Sequence, residues 1–87
     1  MKIIFQNKDA FDTFNEWSKT NKKIAKRLLN LIKDIQRSPV EGIGKPEPLK
    51  HHLSGYWSRR INKEHRIVYR VENDTIIIVS CKYHYKN

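Results

Sequence analysis

The chain has 87 residues, enough for one domain. A domain this short buries only roughly 60% of its unfolded surface, so it is expected to be marginal alone or to lean on a partner. Its formal charge is +9, with nine basic and five acidic residues in positions 1–41 and nine and four in positions 42–87, which excludes a neutral domain with a basic tail. A chain basic throughout is expected to meet polyanions, either nucleic acid or an acidic protein. The single cysteine, Cys81, excludes an internal disulfide and fits a reducing cytoplasm. The longest apolar run, Ile76 to Val79, is too short to cross a bilayer, and no signal peptide is expected.

Ile3-Ile4-Phe5 reads as a short first strand. From Asp9 to Lys19, Ala10, Phe11, Phe14 and Trp17 recur at helical spacing, and Asn7 is placed to cap that helix. Thr20-Asn21 breaks the segment. A longer helix is predicted over Lys22 to Arg37, with Ile24, Leu28, Leu29, Leu31, Ile32 and Ile35 on the buried side and Lys22, Lys23, Lys26, Arg27, Lys33 and Arg37 outside. Ser38-Pro39 ends it.

Residues 40–54 read as a long irregular segment containing Gly42, Gly44, Pro46 and Pro48. Two prolines flank Glu47 and stiffen its loop, since each fixes its own φ and restricts its predecessor. Three strands are predicted next, over 56–61, 65–72 and 75–84, with turns at Asn62-Lys63-Glu64 and Asn73-Asp74. The period of two sorts Trp57, Ile61, Ile67, Tyr69, Val71, Ile77, Val79, Cys81 and Tyr83 to a face packed on the helices. It sorts Tyr56, Ser58, Arg60, Arg66, Val68, Arg70, Ile76, Ile78, Ser80, Lys82 and His84 to the opposite face, which is expected to be an open, shallow and positive surface. Arg59 has the inward parity and ranks below Arg60 as a surface cation.

The fold class that follows is α+β, with two N-terminal helices on one face of a small, mainly antiparallel sheet in the order β-α-α-β-β-β. Glu47 is the only acid between Glu41 and Glu64 and sits among Lys45, Lys50, Arg59, Arg60 and Arg66. An ordinary loop carboxylate would pair with Lys45 or Lys50. A carboxylate, a histidine and fixed cations on one surface are also what metal-free RNA cleavage requires, with the acid taking a 2′-hydroxyl proton and the histidine protonating the leaving oxygen. Arg60 and Arg66 match phosphate oxygens with their planar forks, and Lys50 contributes a further charge. A phosphate bound beside His84 favours the protonated imidazole that a general acid needs.

Tyr56, Tyr85 and, with an inward parity against it, Tyr83 offer rings for base stacking. His51 and His52 read as solvent-facing loop residues able to touch phosphate, His65 as a structural histidine, and Trp17 and Trp57 as core. No metal or cofactor is expected: Cys81 and His84 have zinc-like spacing but no second ligand pair. Ser54, Ser58 and Ser80 have no evident triad partners, and no Gly-rich phosphate loop is present.

The run from Glu41 to His51 (EGIGKPEPLKH), then Leu53 to Ile61 (LSGYWSRRI), Glu64 to Tyr69 (EHRIVY) and the ending Cys81 to Tyr85 (CKYHY) closely resemble the YoeB (Txe) toxins, members of the RelE-type toxins of bacterial toxin–antitoxin pairs. The resemblance covers nearly the whole chain and is most specific from Glu41 to Tyr69. It implies a compact α+β fold and an endoribonuclease that cuts mRNA in the ribosomal A site and stops translation. Position by position, it implies that Glu47 is the general base, His84 the general acid and Arg66 the transition-state cation. Lys50 and Arg60 would be supporting phosphate binders, and Tyr85 the terminal tyrosine associated with activity. This chain departs from many members by continuing past the His-Tyr pair with Lys86-Asn87. The resemblance also implies a YefM-type antitoxin with an acidic, flexible C-terminal segment, and a tendency to dimerise. Two other readings stay open: a repressor that occupies nucleic acid without cutting it, and a ParE-like toxin directed at DNA gyrase.

Overall fold

The strand β1 (Lys2–Phe5) runs almost directly into the helix α1 (Lys8–Thr20). Asn7 makes the junction: its Oδ1 accepts from the Ala10 N–H at 2.9 Å, satisfying a donor that the first turn of a helix leaves open. Asn21 serves two helices at once. Its backbone N–H closes α1 on the Trp17 carbonyl at 2.9 Å, and its Oδ1 caps α2 (Lys22–Arg37) through the Ile24 N–H at 3.1 Å. The computed structural model describes residues 1–82. Among them, no helix is long and apolar enough to cross a membrane.

Leu28, Leu31, Ile32 and Ile35 form the buried stripe of α2. Leu29, expected on that side, is 51% exposed. It lies about 100° round the helix from Leu28, outside the arc that the other four define.

The remaining strands are β2 (Glu47–Pro48), β3 (Tyr56–Arg60), β4 (Arg66–Glu72) and β5 (Thr75–Ser80), and with β1 they make one sheet in the order β1-β5-β4-β3-β2. Among the described residues only β1 pairs in parallel, with β5; the other three pairings are antiparallel. The β4–β5 hairpin turns at Asn73, whose φ of 56° suits an asparagine. The α2 stripe meets Ile61, Ile67, Tyr69, Ile76, Ile78 and Cys81, and Trp17, Trp57, Phe5 and Phe14 pack around that core. Two helices on one face of a mainly antiparallel sheet is the architecture predicted from the sequence.

Two features depart from that prediction. Ile76 and Ile78, assigned outward, belong to the core, whereas Ile77 faces the other way beside Arg70. The cause is a register shift: Tyr69 pairs with Ile78 but Val68 pairs with Ser80, so Val79 is an extra residue that reverses the parity of everything before it. The outer face is also not bare, because Leu49, Ser58, Val68 and Ile77 are all buried on it.

The short strand β2 lies in the segment read as irregular. Leu49 donates to the Tyr56 carbonyl at 2.9 Å, so the adjacent Pro48–Trp57 pair needs no bond from the proline nitrogen. An edge position of this kind is where a strand tolerates proline.

Candidate active site

The chain enters β2 through Gly44 and Lys45, both with positive φ (81° and 52°). The Gly44 carbonyl accepts from the Arg60 N–H at 2.7 Å, which anchors the approach to Glu47 on the end of β3. A Cβ at Gly44 would lie 2.8 Å from Leu31 Cδ2 and 3.2 Å from the Arg60 carbonyl, so backbone and helix meet where only glycine fits.

Glu47 then pairs with Ser58, Ser58 with Val68, and Val68 with Ser80, giving a row across four strands. Arg66 opens β4 opposite Arg60, two residues along from Val68 and hence on the same face. Arg66 Nη1 reaches Glu47 Oε2 at 3.3 Å, with the carboxylate side chain 52% exposed and the guanidinium 23%. The edge strand and the central strand thus deliver an acid and a cation to one solvent-reached spot, with the exposed Arg60 beside them.

The other predicted contributors surround this pair. Lys50 is exposed two residues after β2 and precedes a single 3₁₀ turn, His51–Leu53, in which His51 and His52 are exposed. Tyr56 is half-buried opposite Arg70 on β4. Arg70 itself pairs with Glu72. Arg27 adds a guanidinium near Arg60 by donating to its carbonyl at 3.2 Å. His84 and Tyr85, with Tyr83, lie outside the described residues. Among the described residues no group of three or more His, Cys, Asp or Glu is placed to hold a metal ion.

Arg59 must be removed from the set of RNA contacts. Its side chain is fully enclosed on the helix side of the sheet, as its parity indicated. Nη1 donates to Asp34 Oδ2 at 2.6 Å and to the Ile43 carbonyl at 3.2 Å. Nη2 donates to the Ser38 and Glu41 carbonyls at 2.6 and 3.1 Å, and Nε to the Tyr69 hydroxyl at 3.1 Å. The Tyr69 hydroxyl in turn donates to the Pro39 carbonyl at 2.6 Å. A buried guanidinium whose donors are all directed inward cannot also grip phosphate.

Sequence reading missed the acid in this network. Asp34 accepts from the Ile43 N–H at 2.8 Å, from Arg37 at 2.9 Å and from Arg59. These donors, the Ile43 amide foremost, hold its carboxyl down at about 2. The available signal was modest: Asp34 is the only acid in α2, one turn before the helix ends. By contrast, His65 is the structural histidine expected, buried edge-on against Trp17 with ring centroids 4.9 Å apart.

The fold agrees with the comparison to known proteins. A sequence model described as YoeB-like toxin of bacterial type II toxin–antitoxin system matches residues 5–85. Toxin YoeB of Escherichia coli K12 is 53% identical over 85 residues, covering 98% of this chain and all of that one. A YoeB/ParE toxin from Agrobacterium tumefaciens superposes with a TM-score of 0.93 at 39% identity, covering 98% of this chain and 100% of that one. The Staphylococcus aureus YoeB, solved in complex with YefM, superposes at 0.89 with 50% identity and 98% coverage of both chains. A YoeB from S. aureus, 49% identical to this chain, has also been solved as a dimer. With its sheet, its helices and its sequence all shared over nearly full length, the chain belongs to the YoeB-like toxins of bacterial type II toxin–antitoxin systems.

Proposed function

We propose that this toxin is a metal-independent, ribosome-dependent mRNA endoribonuclease. The observation that carries the proposal is the Glu47–Arg66 pair, an acid and a guanidinium 3.3 Å apart on an exposed sheet face that also presents Arg60. Glu47 takes the proton from a ribose 2′-hydroxyl. The freed 2′-oxygen attacks the adjacent phosphorus, and the 5′-oxygen of the next nucleotide leaves with a proton from His84. The products are a 2′,3′-cyclic phosphate and a 5′-hydroxyl.

Arg66 supplies charge to the phosphorane by exchanging the carboxylate for a non-bridging oxygen, and Arg60 and Lys50 extend the positive field along the backbone. Support for His84 is positional: it follows by four residues Ser80, which pairs with Val68 on the strand that carries Arg66. Tyr56, His51 and Tyr85 are assigned to nucleotide contacts around this centre. The +9 charge suits both mRNA and an acidic antitoxin segment of the YefM kind, and a homodimer like that of the S. aureus relative is proposed for the free toxin.

The test is cleavage of mRNA on programmed ribosomes by Glu47→Ala and His84→Ala, with end analysis of the products. A loss of about 10²-fold or more in each variant, and a cyclic phosphate left by the parent, are expected. Unchanged rates would reject the role assignment. A parent protein that binds without cutting, or that inhibits gyrase supercoiling instead, would replace it with another activity.

A further inference from the structure

Ser58 is buried, and its Oγ is the one enclosed side-chain oxygen or nitrogen without a hydrogen-bond partner among the described residues. Such a group is destabilising, because it gives up water and receives nothing in return. Its place in the sheet is specific. Ser58 is flanked by Glu47 on one side and Val68 on the other, along a row that puts all three on the same face. Val68 offers only carbon. Ser80, the other hydroxyl of the row, is already engaged with the Lys82 carbonyl at 3.1 Å. Directly opposed residues of an antiparallel pair have Cβ atoms about 4.5–5.5 Å apart, so a serine hydroxyl and a glutamate carboxylate at these positions are within reach.

The present partner of Glu47 is held loosely. The 3.3 Å separation from Arg66 is longer than the about 2.7–2.9 Å of a strong charge-assisted hydrogen bond. When substrate phosphate draws Arg66 away, the carboxylate loses that partner at the moment its aim matters.

We propose that Ser58 is a positioning residue for Glu47, its hydroxyl donating to one carboxylate oxygen once Arg66 has turned to the phosphate, so that the other oxygen stays directed at the 2′-hydroxyl. The hydroxyl keeps its proton throughout and forms no bond to substrate. This inference rests on the reading of Glu47 as the base. It explains why a polar group occupies a buried site that an alanine would fill with no orphaned atom: stability is given up for alignment in the bound state.

Ser58→Ala tests it, in steady-state cleavage on programmed ribosomes, in binding to ribosomes carrying mRNA with a 2′-deoxy residue at the cut site, and in thermal unfolding. A kcat about tenfold lower, an unchanged Kd for the uncleavable complex and a Tm no lower than the parent's are expected. An unchanged kcat, a Kd weakened in proportion to the loss of rate, or a lower Tm would overturn the proposal, the last by showing that the hydroxyl is already satisfied in the free protein. Glu47→Ala is measured alongside. If it cleaves like the parent, the base assignment itself has failed; if it loses cleavage while Ser58→Ala does not, only the role of Ser58 falls.

Discussion

Arg59 Nη1 donates to Asp34 Oδ2 at 2.6 Å, joining the last turn of α2 to β3 and closing the loop between them. The same guanidinium takes the Ser38, Glu41 and Ile43 carbonyls, so a segment without regular structure is fixed by side-chain donors. That segment leads through Gly44 into Glu47. Arg59 therefore acts on the site at a distance, by holding the strand that carries the acid.

Replacing Arg59 with alanine leaves several of these acceptors unpaired at once. Each orphaned buried group costs about 1–3 kcal/mol, so a loss of at least about 3 kcal/mol is expected in urea unfolding, read as a lower midpoint at constant slope. Arg59→Lys is expected to recover little of it, because one ammonium cannot reproduce a planar fork reaching the Tyr69 hydroxyl, Asp34 and three carbonyls. A loss under about 1 kcal/mol for the alanine variant would show that water replaces the network without difficulty.

Asp34 makes the fold sensitive to acid. Its carboxyl ordinarily titrates near 3.8, and the Ile43 amide, followed by Arg37 and Arg59, brings it down to about 2 in the folded chain. As pH falls below the ordinary value the unfolded chain takes up this proton first, and the native state is penalised for resisting it. The contribution is thus complete above about pH 4 and disappears as pH approaches 2. Urea midpoints measured across that interval should fall with decreasing pH. Asp34→Asn should start lower, having lost the charge that faces Arg59, and should show a flatter slope over the same interval.

Cys81 gives a probe of global opening. It is fully buried in the core with its Sγ 3.9 Å from the Ala10 carbonyl, and burial pushes the thiol up to about 12. A thiol reagent works through the thiolate, so the folded protein should be inert to it at pH 8 and should react only as fast as the core opens. Labelling that remains rapid when urea unfolding shows full stability would contradict this burial.

How far the sequence could be read depended on how many residues shared one signal. The helix α2 declared itself through apolar residues at helical spacing between the Thr20-Asn21 break and the Ser38-Pro39 stop, and the β4–β5 turn through Asn73-Asp74. The bulge at Val79 left no comparable mark, since one extra apolar residue in a run of four looks the same in either parity. The strand β2 is two residues long, shorter than any period can reveal. In the site, Arg60 and Arg66 were placed together correctly because both stand in regular strands that pair with each other. The burial of Arg59 was legible only as a parity. Three of its five acceptors are backbone carbonyls between Ser38 and Ile43, and carbonyls carry no sequence identity.

Arg66 is the position where catalysis and stability should separate most clearly. Its ion pair joins a half-exposed carboxylate to a partly exposed guanidinium, and exposed pairs of this kind are worth about 0–1 kcal/mol because solvent screens them and side-chain order opposes them. Arg66→Ala should therefore leave the urea midpoint close to the parent value. Cleavage of ribosome-bound mRNA should fall by about 10²–10³-fold, the usual loss when one preorganised donor to a developing negative charge is removed. Arg66→Lys keeps the charge but lacks the fork, and an intermediate rate is expected. Stability loss that tracked the loss of cleavage through this series would make Arg66 a brace for β2. A rate that falls at constant stability makes it the cation that meets the phosphate.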